Sequence, residues 1–177
     1  DAGASTGGFT DVLLRRNAGH VVAVDVGYGQ LAWGLRTDER VTVLDRTNIR
    51  HLTGDMVGEA IDLVVADLSF ISLTLVLPAL AAVSKPEADF VLMVKPQFEV
   101  GREKLGAGGV VRDPALRKAA VIEVAESAYD VGLGTLGIAA SPLPGPAGNV
   151  EYFLWLRRGA PEIDHAMLDE AIAIGPQ

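Results

Sequence analysis

Asp1-Ala2-Gly3-Ala4-Ser5-Thr6-Gly7-Gly8-Phe9 opens the chain and runs straight into a helical pattern over residues 10–17. So many small residues mark a tight strand-to-helix turn, because glycine has no Cβ and tolerates positive φ. Backbone N–H groups in such a turn can come close to a ligand. The turn also predicts a strand delivering Asp1 into it, so the natural protein is expected to continue upstream.

Outward from this turn, strand and helix signals alternate. Residues 20–26 form an apolar strand pattern ending at Asp25, 30–36 a short helix, and 41–44 a strand beside Asp45. Residues 61–66 deliver Asp67, and 72–83 predict a helix that Pro78 kinks or breaks. Residues 90–94 deliver Lys95, whereas 46–59 and the glycine-rich 99–112 are expected to be irregular. Asp113-Pro114 is an N-cap followed by proline at the first helical position, opening a long helix to about residue 130. Two strands, 135–141 and 150–157, flank a proline- and glycine-rich connection, and a polar helix over 162–174 follows.

Continuous apolar strands alternating with helices predict a single doubly wound α/β domain with a mostly parallel, Rossmann-like sheet. The closing pair predicts an antiparallel strand at one edge. Ligands of such sheets bind outside the carboxyl ends of the strands. That rule singles out Asp1, Asp25, Asp45, Asp67 and Lys95, each at the end of an apolar segment or where one is expected.

Composition narrows the classes. Apolar residues make up 49% and charged residues 21%, which fits a packed core. The chain has no cysteine, hence no disulfide, thiolate zinc site or cysteine nucleophile, and a reducing cytoplasmic setting is expected. No metal site is expected, and no apolar run reaches the roughly 18 residues of a membrane span. A net charge of −8 argues against tight nucleic-acid binding by this chain alone, and is compatible with an enzyme that uses a local basic patch or a separate binding domain.

The opening turn admits three chemistries. As a dinucleotide fingerprint it has Ser5 where the second glycine should let a pyrophosphate touch the backbone. As a nucleophile elbow, Gly3-Ala4-Ser5-Thr6-Gly7 needs a late histidine, and His20, His51 and His165 are badly placed for that order. As a nucleoside turn for S-adenosylmethionine it tolerates side chains, with Asp25 for the ribose hydroxyls and Asp45 for the adenine amino group. The third reading uses all the acids and is the most economical. Its binding set is Asp1, Gly3, Ser5, Thr6 and Gly7, continued by Gly8, Phe9, Asp25, Asp45 and Asp67.

Asp67 and Lys95 end consecutive strands, so their side chains are expected to meet above the ligand and to orient and deprotonate a hydroxyl. Glu151 opens a last strand that, if antiparallel, starts at the same edge. Arg46 and Arg50 flank that edge, and Arg102, Lys104 and Arg112 lie in the glycine-rich loop, so these five are candidate phosphate contacts. Phe70 and Phe98 can stack on a base, although core packing is the simpler assignment for each.

Four ordered motifs, residues 1–11, Ala-Asp-Leu-Ser-Phe-Ile-Ser at 66–72, Val-Lys-Pro-Gln-Phe-Glu at 94–99 and Gly-Asn-Val-Glu-Tyr at 148–152, resemble the haemolysin A (TlyA) family. Its members are 2′-O-methyltransferases of ribosomal RNA with an FtsJ-like catalytic domain. The composition resembles that of a mycobacterial or other high-GC actinobacterial member. The resemblance implies a Lys-Asp-Lys-Glu set with Asp67, Lys95 and Glu151 as its last three members. It places the first lysine, and an S4-like RNA-binding domain, upstream of residue 1. It also implies ribosomal subunits as partner. Methylation of another substrate is the alternative enzyme, but Asp67-Leu68-Ser69-Phe70 lacks the two prolines of base-amino methylases. A membrane-active haemolysin is the non-enzymatic alternative.

Overall fold

The computed structural model describes residues 1–175. Six strands make one mixed sheet: β1 (Val21–Val24), β2 (Val41–Leu44), β3 (Ile61–Ala66), β4 (Ser84–Val94), β5 (Leu133–Ala140) and β6 (Tyr152–Arg158). β2 lies beside β1, and β3-β4-β6-β5 follow in that order. The two groups are joined at Ala2, which bridges Val24 on one side and Ala66 on the other, both parallel. Ala2 donates its N–H to Val65 O and accepts from Asp67 N, so residues 1–3 act as a short strand between β1 and β3.

The expected antiparallel hairpin is present at one edge, with one refinement. β6, the antiparallel member, pairs with β4 on one side and β5 on the other, so β5 is outermost. β1 is buried along its length, as a doubly covered parallel strand should be. β6 instead alternates buried and open positions, with Trp155 43% exposed, so part of the sheet is covered more fully on one face. The core is built from Phe90, Leu92, Val94, Tyr152 and Leu154 of the sheet. Val121, Val124 and Ala128 of α6 (Pro114–Asp130) belong to the same cluster. α6 starts where the sequence predicts, with Asp113 Oδ1 accepting from Ala115 N at 2.8 Å.

Several boundaries differ from expectation: the strand predicted over 150–157 begins at Tyr152, and the helices predicted to start at 30 and 162 begin at Trp33 and His165. α1 begins at Gly8, two residues early, directly off the glycine turn. Residues 73–83 break as Pro78 predicts, into a 3-10 turn (Leu73–Leu75) and α4 (Leu77–Ala82), with the proline in the first turn of α4. β4 starts at Ser84, which pairs with Ile61, and a register shift follows before Asp89 pairs with Leu63. The stretch expected to be irregular holds a 3-10 turn (Ile49–His51) and α3 (Gly54–Val57). α2 (Trp33–Arg36), α5 (Pro96–Glu99) and α7 (His165–Ile174) complete the elements.

Below Ala2 the sheet opens. A groove of about 980 Å³ separates β1 from β3, with Val21, Val22, Ile61, Val64, Leu80 and Val83 among its walls.

Candidate active site

The opening turn reverses the chain through two left-handed glycines, Gly3 (φ 81°) and Gly7 (φ 103°). Ser5 is left-handed too (φ 49°), a conformation more usual for glycine, while keeping a side chain. Its N–H donates to Asp25 Oδ2 at 2.8 Å, and Gly27 N–H donates to the other oxygen, Oδ1, at 2.8 Å. Asp25 is thereby fixed by two backbone amides, with lone pairs left over for a ligand.

Gly3, Ser5, Asp25 and Asp67 line one cavity of about 480 Å³ at the carboxyl edge, within the size range of small-ligand sites. Val24, Val26, Ile49, Leu68 and Ile71 give it apolar walls, and Asn48 and Ser69 add polar groups. Asp1, Thr6, Gly7, Gly8 and Phe9 do not line it. Asp1 instead accepts from Thr10 Oγ1 at 2.7 Å, and Gly8 opens α1. Asp45 is also away from the wall: Arg36 Nη2 pairs with its Oδ2 at 2.7 Å, and Gly29 N–H donates to the same oxygen at 3.3 Å. Arg36, in the last turn of α2, holds its carboxyl below the usual range. Asn48 and Ile49 occupy the wall where Asp45 is expected. None of the three histidines lines the cavity; His20 faces Thr42 Oγ1 at 3.0 Å.

Register assembles the polar centre. In the β3–β4 ladder Ala66 pairs with Leu92, so Asp67 and Lys95 emerge close together on neighbouring strands. Lys95 Nζ is 2.6 Å from Asp67 Oδ1 and donates to Ser69 Oγ at 3.1 Å. The contact with Asp67 is charge to charge, off the line of an aligned hydrogen bond. Only 12% of the lysine side chain is exposed. The β4–β6 ladder ends with Val94 opposite Tyr152, which makes Lys95 and Glu151 the next residues outward on the two strands. Glu151 is buried, and its Oε1 accepts from Gln97 Nε2 at 3.1 Å. The expected trio thus shares one edge, with Glu151 bonded to an amide and not to the lysine.

Sequence reasoning missed two features. Phe70, assigned to the core by hydrophobicity, is 90% exposed at φ 64° and packs its ring on Phe98, with centroids 5.1 Å apart. A bulky residue in that conformation is an outlier of the sort that clusters at functional sites. Glu99 is the second. Its carboxylate accepts from Ser72 Oγ at 2.5 Å and Leu73 N at 2.9 Å, tying the Lys95 segment to the loop that carries Ser69 and Phe70.

Burial pushes the Glu99 carboxyl above its ordinary value of 4.5, and the two hydrogen bonds only partly oppose this. The folded state therefore holds its proton more tightly than the unfolded chain. The stabilisation from this group is complete below about pH 4.5 and is lost as pH rises through the raised value. Glu99→Gln keeps an acceptor for Leu73 N and removes the charge. Urea midpoints taken from pH 4.5 to 8 should show the variant gaining on the parent as pH rises.

Arg46, Arg50, Arg102, Lys104 and Arg112 are all exposed. None is in an ion pair among the described residues, whereas Arg15, Arg40, Lys85, Lys118 and Arg157 are all held by carboxylates. Arg46 lies 4.3 Å over the ring of Tyr28. No described helix is long and apolar enough to cross a membrane.

The FtsJ-like methyltransferase family model matches residues 1–158. Over 157 residues the chain is 65% identical to the 16S/23S rRNA (cytidine-2′-O)-methyltransferase TlyA of Mycobacterium tuberculosis, covering 89% of this chain and 59% of that protein. It is 38% identical to hemolysin A of Brachyspira hyodysenteriae, over 86% of this chain and 64% of that protein. A solved structure described as a hemolysin from Streptococcus thermophilus superposes with TM-score 0.92 at 41% identity, covering 98% of this chain and 64% of that one. The chain thus spans less than two thirds of the length of these relatives. At 20% identity and TM-score 0.61, an N1-methyltransferase of Burkholderia thailandensis shares the fold, over 89% of this chain and 69% of that one. With its edge residues and its match from residue 1 to residue 158, the chain belongs to the FtsJ-like methyltransferase family.

Proposed function

We propose that this domain transfers the methyl group of S-adenosylmethionine to the ribose 2′-oxygen of ribosomal RNA. The observation that carries the reading is the Lys95–Asp67 pair at the rim of the cavity that Gly3, Ser5 and Asp25 line. The donor set fits the cofactor: a braced carboxylate for a ribose diol, apolar walls for a purine, and a turn of small residues for close approach. When bound, S-adenosylmethionine supplies an electrophilic methyl group on a sulfonium.

The rest is the work of this chain. Asp25 takes the cofactor's ribose hydroxyls. Asp67 and Ser69 hold Lys95 at the end of β4, where its ammonium polarises the acceptor hydroxyl and stabilises the developing alkoxide, the proton leaving to solvent. Glu151, opposite Lys95, orients the acceptor ribose. Fixing two reactants in line can supply several kcal/mol of the barrier, roughly 7–11 in favourable intramolecular cases. In this reading the exposed cations neutralise phosphates, and Phe70, 90% exposed, stacks on a base.

The family reading also bears on the groove between β1 and β3. Its apolar walls and the two flanking parallel strands suit an upstream strand running into Asp1, which would bring the first lysine of the family set to the same edge. An S4-like RNA-binding domain before it and a cytoplasmic site of action belong to the same proposal. The close relative named for methylation of both 16S and 23S RNA favours ribosomal subunits as acceptor.

Calorimetry with S-adenosylmethionine tests the cofactor assignment. Asp25→Ala should weaken binding about 10-fold or more, as expected for loss of hydrogen bonds to a charged group. Equal affinity in parent and variant would remove Asp25, and with it this placement of the cofactor.

A further inference from the structure

Gln97 belongs to the motif Val-Lys-Pro-Gln-Phe-Glu, yet its position in the sequence suggests no role. It sits in α5, the short helix that turns the chain away from β4 immediately after Lys95. In the fold it faces a residue 54 positions away: Nε2 donates to Glu151 Oε1 at 3.1 Å. Glu151 is only 6% exposed and pairs with no lysine or arginine among the described residues. The same oxygen lies near Gly145, where an added Cβ would come within 2.6 Å of it. A buried carboxylate needs a donor to fix its direction, and among the described residues the side-chain donor it has is this amide.

The amide's orientation follows from the same contact. An ionised carboxylate only accepts, so the Gln97 amide must present its nitrogen. Its Oε1 is buried and has no partner among the described residues, so no second bond sets the amide's direction. The Glu151 charge and the Gln97 amide therefore orient one another.

We propose that Gln97 is a positioning residue for methyl transfer, acting through Glu151: it holds the carboxylate opposite Lys95 at the angle from which it fixes the acceptor ribose. The proposal rests on Glu151 belonging to the reacting set. A residue in this role should affect the rate of the chemical step and leave cofactor affinity alone. The alternative is a filler between α5 and the loop before β6, which would affect only folding.

Two variants separate these. Gln97→Leu removes the donor at nearly constant volume. Gln97→Glu places a second carboxyl about 3 Å from the first; such a pair shares one proton, and its shared-proton form restores the hydrogen bond at lower pH. Both are assayed in the full-length protein with S-adenosylmethionine and unmodified ribosomal subunits, with cofactor affinity measured in parallel by calorimetry. The parent's activity reports on the underlying function, and loss of activity in Glu151→Gln reports on the role of Glu151. With both in place, kcat should fall about 10- to 100-fold in Gln97→Leu, matching the worth of a charge-assisted hydrogen bond. Cofactor affinity should stay within about twofold. The ratio of Gln97→Glu to parent activity should rise steadily from pH 8.5 to pH 6, while that of Gln97→Leu stays flat. Full activity in both variants would overturn the proposal, as would equal losses in both at every pH.

Discussion

Lys95→Ala should abolish measurable methyl transfer while leaving S-adenosylmethionine affinity nearly unchanged. The lysine is not among the residues lining the cofactor cavity, yet it is anchored 2.6 Å from Asp67, which is. Removing it takes away the group that assists deprotonation, worth about 10²–10⁴-fold for general acid–base catalysis. It also leaves the partly buried Asp67 carboxylate unpaired. Lys95→Arg keeps the charge but spreads it over a planar fork that cannot reproduce a point ammonium between Asp67 and Ser69, so little activity should return. Single-turnover kinetics with saturating cofactor measure this directly. A Lys95→Ala protein with a normal chemical step would mean that the reacting edge is wrongly assigned.

The second large effect is structural. Gly3 sits at φ 81°, and a Cβ there would lie 2.4 Å from the backbone oxygen of Asp67. Neither the strand end nor the turn can yield without moving Asp67. Gly3→Ala combines a left-handed conformation, about 1–2 kcal/mol for an L-residue, with a clash against backbone. It should destabilise the domain by roughly 3 kcal/mol or more, a large part of the 5–15 kcal/mol typical of a whole domain. Cofactor binding should be lost with it. Gly7→Ala is a useful contrast: its Cβ would meet the flexible ends of Leu31 and Leu35, at 2.8 and 2.3 Å, so the neighbours can move. Thermal unfolding of the two variants should rank Gly3→Ala well below Gly7→Ala.

What the sequence revealed of this site depended on local signals. Apolar runs ending in Asp25, Asp67 and Lys95 identified the carboxyl edge, because a buried strand must surface at a polar residue. Asp113-Pro114 located α6, and Pro78 located the break before α4, since each acts on its own helix turn. Pairwise facts across long separations were not legible. Nothing in the periodicity of β6 reveals that it slots between β4 and β5. The pairing of Asp45 with Arg36 depends on how the last turn of α2 faces the end of β2. The contact of Gln97 with Glu151 arises only when β4 and β6 align. Phe70 was misread for another reason. Hydrophobicity says that a phenylalanine is better buried, but the left-handed backbone at that position projects the ring into solvent beside the cavity.

Among the relatives, names split between rRNA methyltransferase and hemolysin, and the two imply different chemistry. The geometry favours the methyltransferase name: a cavity with a braced carboxylate and, beside it, a lysine held against a second carboxylate. Identifying the atom that is methylated tests this most directly. The full-length protein is incubated with methyl-labelled S-adenosylmethionine and unmodified ribosomal subunits, and the RNA is then hydrolysed in alkali. A methyl on the 2′-oxygen removes the nucleophile that alkali needs, so the label should appear in alkali-resistant dinucleotides and disappear in Lys95→Ala. Label recovered in mononucleotides, on a base, would contradict the assignment of Lys95, Asp67 and Glu151 to ribose methylation.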